Sequence, residues 1–388
     1  MRNTGNNQPC TKLSPMHQTI TARRLLTPEG PLDHPVIAIE DGIVQSVVFE
    51  ETTKEDTTLA PAFFDIHTHG AANHDVMEGT PEALATISRF LGTRGVGRYL
   101  ATTVTAPIEK TLRSLEGIAN TIESPTRGAA TPVGIHLEGP FISHAKRGVH
   151  PPADILPPDI ALFDRFQQAA RGHIRLMTIA PEVPGALDLI RHAAVQGVKL
   201  SIGHTNATAP EAHAAIAAGA ASATHTYNAM RALDHRDPGV IAVVLDDPGV
   251  FAELICDGVH VAPEMVRLWL KAKGEDRAIL VTDSMSAAGM PDGVYMLGTF
   301  KVQVADGRAF LRDDDNKGKF SLAGSVLTMD RAVANIQQFA GASLATAIRL
   351  ASHNPAKLLG LEAKIAPGQP ARFNVFNAAG VLQSTILN

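Results

Sequence analysis

Only two cysteines, Cys10 and Cys256, occur among the 388 residues. One lies in a polar tail and the other inside an apolar run, which excludes a disulfide framework and makes a reducing cytosol the expected compartment. Basic charge is scarce too: 34 Lys and Arg stand against 39 Asp and Glu, a net charge of -5 with His neutral. No field is available to hold a polyanion, so nucleic acid is not an expected partner. No stretch approaches the roughly 20 apolar residues of a membrane span. The first 18 residues, MRNTGNNQPCTKLSPMHQ, lack the apolar core of a signal peptide and are expected to be a disordered N-terminal extension. Internal repeats, low-complexity tracts and a Gly-rich phosphate loop are likewise missing. What remains is 45% apolar content, enough for a sizeable core. The expected partner is a small molecule.

Short β-like runs fill residues 19–59, with Asp41-Gly42 placed as a hairpin turn, and the same character returns over 366–388. The two ends are expected to complete one discontinuous β-sandwich domain. Between them, over 60–365, short apolar strands alternate with helical stretches, the pattern of βαβ units on a parallel sheet. Eight such strands can be counted: APAFFDIH, GRYLATTV, PVGIHLE, HIRLMTIA, GVKLSIGH, ASATHT, VFAELICD and RAILVTD. Helical segments fall at Pro81 to Arg94, Pro184 to Gln196, Ala209 to Ala218, Ala262 to Lys271, Ser325 to Phe339 and Leu344 to Ala351. This predicts a (β/α)8 TIM-type barrel. A β-hairpin with an Asp306-Gly307 turn is expected to interrupt it near 295–320, over the barrel mouth.

Barrel enzymes build their sites at the carboxyl ends of the strands. Here those positions hold His67 and His69, Glu138, His204, His225 and Asp283. A His-X-His pair carries little weight alone, because about one is expected by composition in a chain with 16 histidines. The set carries more: each member ends an apolar run and needs a partner, and imidazole and carboxylate together suit Zn²⁺ and similar ions. The period of two along a strand aims His67 and His69 to one side. His136 points with Glu138, so the residues alone leave open which of the two is a ligand, the terminal position favouring Glu138. Asp283, after strand eight, could exchange a proton with a water activated at the metal; read alone it is equally a turn or capping aspartate.

These residues, in this order, resemble the amidohydrolase superfamily. The strings PAFFDIHTHG, GIHLEGPF with KRGVHPP, SIGHTNA, ATHTYNAM, DGVH, LVTDSMSAAG and LAGSVLTMD look like one family within it, the N-acetylglucosamine-6-phosphate deacetylases. The match runs from Pro61 to Asp330, across the whole barrel. The resemblance implies that Glu138, His204 and His225 hold the principal divalent metal. His67 and His69 would complete a second site, so one or two ions are expected per subunit. Zn²⁺ is expected first, and Fe²⁺, Mn²⁺ or Co²⁺ suit the same ligands. Substrate contacts are implied for His150, Asn228, Ala229, Arg236, His260 and Leu322, with Arg236 acting at the neighbouring subunit's site in a homodimer. TIAPEV has no lysine at the end of strand four, so Glu138 rather than a carboxylated lysine would bridge two ions.

The activity so implied is hydrolysis of the acetamide of N-acetyl-D-glucosamine 6-phosphate to glucosamine 6-phosphate and acetate. Asp283 would serve as base and then acid, with His260 supporting the oxyanion. The alternatives are the galactosamine epimer, or another N-acyl sugar phosphate, and a barrel kept only as a scaffold. The intact ligand set speaks against the scaffold.

Overall fold

The computed structural model describes residues 17–298, 300–312 and 320–387. The expected N-terminal extension falls outside them, except that His17 and Gln18 already open a strand, His17–Thr21.

Eight parallel strands form the centre: β1 (Phe63–Thr68), β2 (Val96–Thr103), β3 (Thr131–Glu138), β4 (Ile174–Ile179), β5 (Lys199–Ile202), β6 (Ala220–Ala223), β7 (Phe251–Ile255) and β8 (Ala278–Val281). Each pairs with the next in chain order. β8 returns against β1, where Asp283 N donates to His67 O and His69 N to Ser284 O, both at 2.8 Å. Eight helices follow the strands: α1 (Pro81–Thr93), α2 (Ile108–Glu123), α3 (Ile160–Ala169), α4 (Ala186–Val195), α5 (Ala209–Ala218), α6 (Gly239–Asp246), α7 (Pro263–Lys273) and α8 (Met329–Ala340). The predicted (β/α)8 barrel is therefore present. Its strands are covered on both faces, which is why all six residues of β1 are buried, Asp65, His67 and Thr68 included. Helix starts follow local chemistry. Thr80 accepts from Ala83 N ahead of Pro81 on α1, and Thr208 and Glu211 form a capping box on α5.

Two elements begin elsewhere than expected. The run LAPAFFDIH splits at Ala62: Thr58–Pro61 pairs with Arg372–Phe376 and Arg24–Thr27, and only from Phe63 does the chain enter the barrel. The sheet formed by the chain ends thus takes in residues placed at the start of the barrel, because an unbroken apolar run hides a step between two sheets. Helix α8 starts at Met329 rather than Ser325. Ser325 N donates to Asp283 O at 2.8 Å and its Oγ to Thr282 O at 2.6 Å, so residues expected to open the helix instead hold the end of β8.

The flanking segments make a three-stranded sheet (His17–Thr21, Pro35–Glu40, Ile43–Phe49) and a five-stranded sheet ordered Leu382–Leu387, Arg372–Phe376, Thr58–Pro61, Arg24–Thr27, Gly30–Asp33. Leu25, Ile37, Ile39, Val44, Leu59 and Phe373 form their shared core. Asp41 and Gly42 have φ of 48° and 80°, the left-handed pair that a two-residue hairpin requires. The insertion after β8 is larger than one hairpin: Gly293–Leu297, Phe300–Ala305, Arg308–Arg312 and Phe320–Leu322 form a four-stranded antiparallel sheet, turning at Asp306-Gly307. Leu297 and Leu322 bring this sheet to the barrel mouth. Among the described residues no helix is long and apolar enough to cross a membrane.

Candidate functional site

His67 and Glu138 sit within their strands and His69 just beyond one. His204, His225 and Asp283 each lie two residues past a strand end, in left-handed backbone with φ of 46°, 28° and 51°. Such a conformation costs a non-Gly residue about 1 kcal/mol or more and persists only where the surroundings hold it. Here backbone bonds do so: Ser143 N to His204 O at 2.9 Å, Asp283 N to His67 O and Ser325 N to Asp283 O at 2.8 Å. The effect is to gather all six side chains at the mouth of the barrel.

Glu138 is the junction. Its Oε1 lies 3.2 Å from both His204 Nε2 and His225 Nε2, and these nitrogens are 3.2 Å apart. Donors around a tetrahedral ion with bonds of about 2.0–2.1 Å stand about 3.3 Å apart, so this triangle has the dimensions of three ligands of one ion. A second group adjoins it. His67 Nε2 and His69 Nε2 are 3.3 Å apart, and Asp283 Oδ1 lies 3.5 Å from the first and 3.2 Å from the second. Glu138 reaches this group as well, Oε2 to His69 Nε2 at 3.1 Å and Oε1 to His67 Nε2 at 3.5 Å.

For three of the four histidines the far side of the imidazole decides which nitrogen holds the proton, while His225 Nδ1 has no hydrogen-bond partner among the described residues. His67 Nδ1 donates to Glu253 Oε2 at 3.2 Å, His69 Nδ1 to Thr102 O at 3.2 Å and His204 Nδ1 to Lys146 O at 2.9 Å. Carboxylate and carbonyl oxygens only accept, so Nδ1 carries hydrogen and the Nε2 lone pair is left for a metal. His150 is the reverse: its Nδ1 accepts the Thr105 backbone N–H at 3.3 Å, which places hydrogen on Nε2. In this arrangement His150 Nε2, 3.8 Å from Glu138 Oε2, presents a hydrogen rather than a lone pair, although His150 also lies within reach of Glu138 and His204 as one of the groups that could hold a metal. His136, left open against Glu138, sits inside β3 with Nε2 engaged by Thr178 Oγ1 at 2.8 Å.

Electrostatics agree with a cation site. Burial alone would raise the Glu138 carboxyl, but His67, His204 and His225 hold it well below the usual carboxylate range. Burial likewise works against the charged form of His69, yet Asp283 and Glu138 raise it to about 9. Asp283 is depressed by His67 and His69 against the effect of burial. These acidic and imidazole groups are crowded into a water-poor space, where a divalent ion would replace protons as their counter-charge. The donors fit such an ion.

Around them opens a cleft of about 300 Å³ lined by His150, Asn228, Ala229, His260, Leu322 and Lys146 together with His69, Glu138, His204, His225 and Asp283, His67 lying buried behind it. Every predicted substrate contact but one is thereby brought together. Arg236 is the exception: it lies on an exposed loop, where its backbone N–H donates to Asp234 Oδ1 at 2.8 Å. Asp257 Oδ2 meets His260 Nδ1 at 2.7 Å, and this pair raises His260 against burial.

Sequence reasoning missed three carboxylates. Glu253 and Asp65 are fully buried and Asp257 partly so. Asp65 is pushed up to about 6 by burial, while Thr282 Oγ1 donates to it at 2.5 Å. The available signal was a lone charge inside an apolar strand, FAELI or FFDIH, which demands a buried partner.

The Amidohydrolase family model matches residues 58–388. The chain is 37% identical over 360 residues to the N-acetylgalactosamine-6-phosphate deacetylase of Escherichia coli O157:H7, covering 92% of this chain and 93% of that one. It is 37% identical over 349 residues to the N-acetylglucosamine-6-phosphate deacetylase of Bacillus subtilis, covering 87% and 86%. A mutant N-acetyl-D-glucosamine-6-phosphate deacetylase from Mycobacterium smegmatis, solved in complex with N-acetyl-D-glucosamine-6-phosphate, superposes with a TM-score of 0.88 at 34% identity, over 95% of this chain and 97% of that one. The chain therefore belongs to the amidohydrolase family and, within it, to the group that holds the N-acetylglucosamine- and N-acetylgalactosamine-6-phosphate deacetylases.

Proposed function

We propose that the protein hydrolyses N-acetyl-D-glucosamine 6-phosphate to D-glucosamine 6-phosphate and acetate. The observation that carries this reading is the Glu138 carboxylate placed between two groups of Nε2 lone pairs, with Asp283 beside it at the floor of a cleft sized for one small ligand. Glu138, His204 and His225 would hold one divalent ion, and His67 and His69 with Glu138 a second, near Asp283. Zn²⁺ is the ion we expect, and Fe²⁺, Mn²⁺ or Co²⁺ suit the same donors. Such an ion, when bound, polarises the acetyl carbonyl and lowers the pKa of a water towards about 7.

The chain's own residues do the rest. Asp283 Oδ1 takes a proton from the attacking water as its oxygen bonds to the acetyl carbon, and then passes that proton to the amide nitrogen as the C–N bond breaks. His260, whose protonated form the neighbouring Asp257 favours, donates to the oxyanion. His150, fixed with hydrogen on Nε2, donates to the sugar. Asn228 and the Ala229 backbone supply further polar contacts, and Leu322 covers the sugar against water. Arg236 suits a phosphate at the neighbouring subunit's site in a homodimer, since a guanidinium binds phosphate in bidentate fashion. The cytoplasm is the compartment we assign.

Purified protein loaded with each ion in turn should release acetate from the substrate; no release with any of them would exclude the reading. The galactosamine epimer is the second reading, favoured by the 37% identity to the E. coli O157:H7 enzyme. Side-by-side kcat/KM values on the two epimers decide between the readings, and a preference of about tenfold or more for the galactosamine epimer would reassign the substrate. A His67→Asn, His69→Asn double variant is expected to keep one ion per chain and measurable turnover. Metal analysis finding none would show that the pair is indispensable.

A further inference from the structure

Glu253 touches none of the substrate-lining surface, yet it is the one carboxylate that contacts two of the metal-ligating histidines from behind. It lies in β7, where all five residues are buried, and is itself 0% exposed. Its Oε2 accepts from His67 Nδ1 at 3.2 Å and from the His225 backbone N–H at 3.2 Å. Its Oε1 has no hydrogen-bond partner among the described residues, and His67 is its only ion-pair partner there. If the position merely filled space, an apolar side chain would do so without the desolvation that a buried carboxylate suffers. What the carboxylate adds is direction. It holds hydrogen on Nδ1 of His67 and so turns the Nε2 lone pair towards His69 and Asp283, while its second bond fixes the backbone of a ligand in the other group, at the strained φ of 28°.

We propose that Glu253 is the positioning residue of the second metal site: by fixing the tautomer and orientation of His67, it makes occupancy by two ions depend on a side chain that binds neither. The inference rests on the metal reading of the site given above. A carboxylate behind a metal-bound imidazole strengthens the ligand, and removing such a partner weakens metal binding by about 10- to 100-fold.

The test uses the full-length chain, stripped with chelator and titrated with Mn²⁺, with ions per chain measured after dialysis and the spin-coupled pair followed by EPR. In E253Q, which keeps the shape but removes the charge, one ion should bind as in the parent. The other should weaken about 10- to 100-fold, and the coupled EPR signal should vanish at stoichiometric Mn²⁺. Adding E253Q to a His69→Asn variant should weaken nothing further, since both changes act on the same ion; a generally damaged barrel would not show that non-additivity. E253L gives the same loss if charge and direction are the cause, and thermal melting of both variants separates misfolding from it. Two ions bound at parental affinity in E253Q, or both weakened in step, would overturn the proposal. If the parent chain binds one ion only, the proposal falls while the deacetylase reading stands; if it binds none, the metal reading itself fails.

Discussion

Asp283→Asn is expected to lower kcat by about 10³-fold or more while leaving the metal content of the protein unchanged, because the amide keeps the shape of the carboxyl but cannot take up a proton. The position supports so specific a loss. Asp283 Oδ1 stands 3.2 Å from His69 Nε2 and 3.5 Å from His67 Nε2, and its backbone is tied on both sides, N–H to His67 O and carbonyl to Ser325 N–H. An asparagine would inherit all of those backbone bonds and the buried setting, so folding should be preserved. The imidazoles that depress the Asp283 carboxyl keep it ionised at neutral pH, the form a general base needs. Single-turnover acetate release alongside metal analysis checks the prediction, and an Asn variant that retains even a tenth of the turnover would remove Asp283 from the proton path.

Much of this arrangement was legible in the residues, and the reason is physical. Strands of a parallel barrel are buried on both faces, so FFDIHT, TPVGIHLE and FAELI stand out as apolar runs, and a His, Glu or Asp at the end of such a run is conspicuous because it must find a partner. The two Asp-Gly hairpins were equally plain, since few dipeptides tolerate two left-handed residues. What could not be read depends on partners supplied by the backbone. The Thr102 and Lys146 carbonyls and the Thr105 N–H decide which ring nitrogen of His69, His204 and His150 carries hydrogen, and carbonyls and N–H groups leave no trace in a sequence. The left-handed turns at His204, His225 and Asp283 were hidden for a related reason: they are imposed by neighbouring loops against local preference. Glu253 was visible as a charge in a strand, but its meaning appears only once β7 is seen to stand across β8 from β1.

Glu138→Ala is expected to cost both ions together, and with them activity by a factor of about 10⁴ or more, whereas loss of any single histidine should cost one. The histidines make their contacts with one another of 3.3 Å or less within one group. Glu138 alone touches both, through contacts of 3.2 Å to His204 and His225, 3.1 Å to His69 and 3.5 Å to His67. It also supplies the negative charge shared between the two positions, in surroundings where a second cation without a carboxylate bridge would meet an unscreened like charge. Glu138→Gln separates the two contributions: the amide oxygen remains available to one ion, so about one ion per chain should survive at weakened affinity, while the pair is lost. Removing the carboxylate also removes the partner that, together with Asp283, raises His67 and His69, so both imidazoles in the variant should lose protons more readily than in the metal-free parent. Imidazole ¹H–¹⁵N spectra of the metal-free proteins across pH 6 to 9 would read this directly. Two ions bound at parental affinity by the alanine variant would mean that Glu138 is a bystander, and the groups on either side of it would then have to be treated as independent sites.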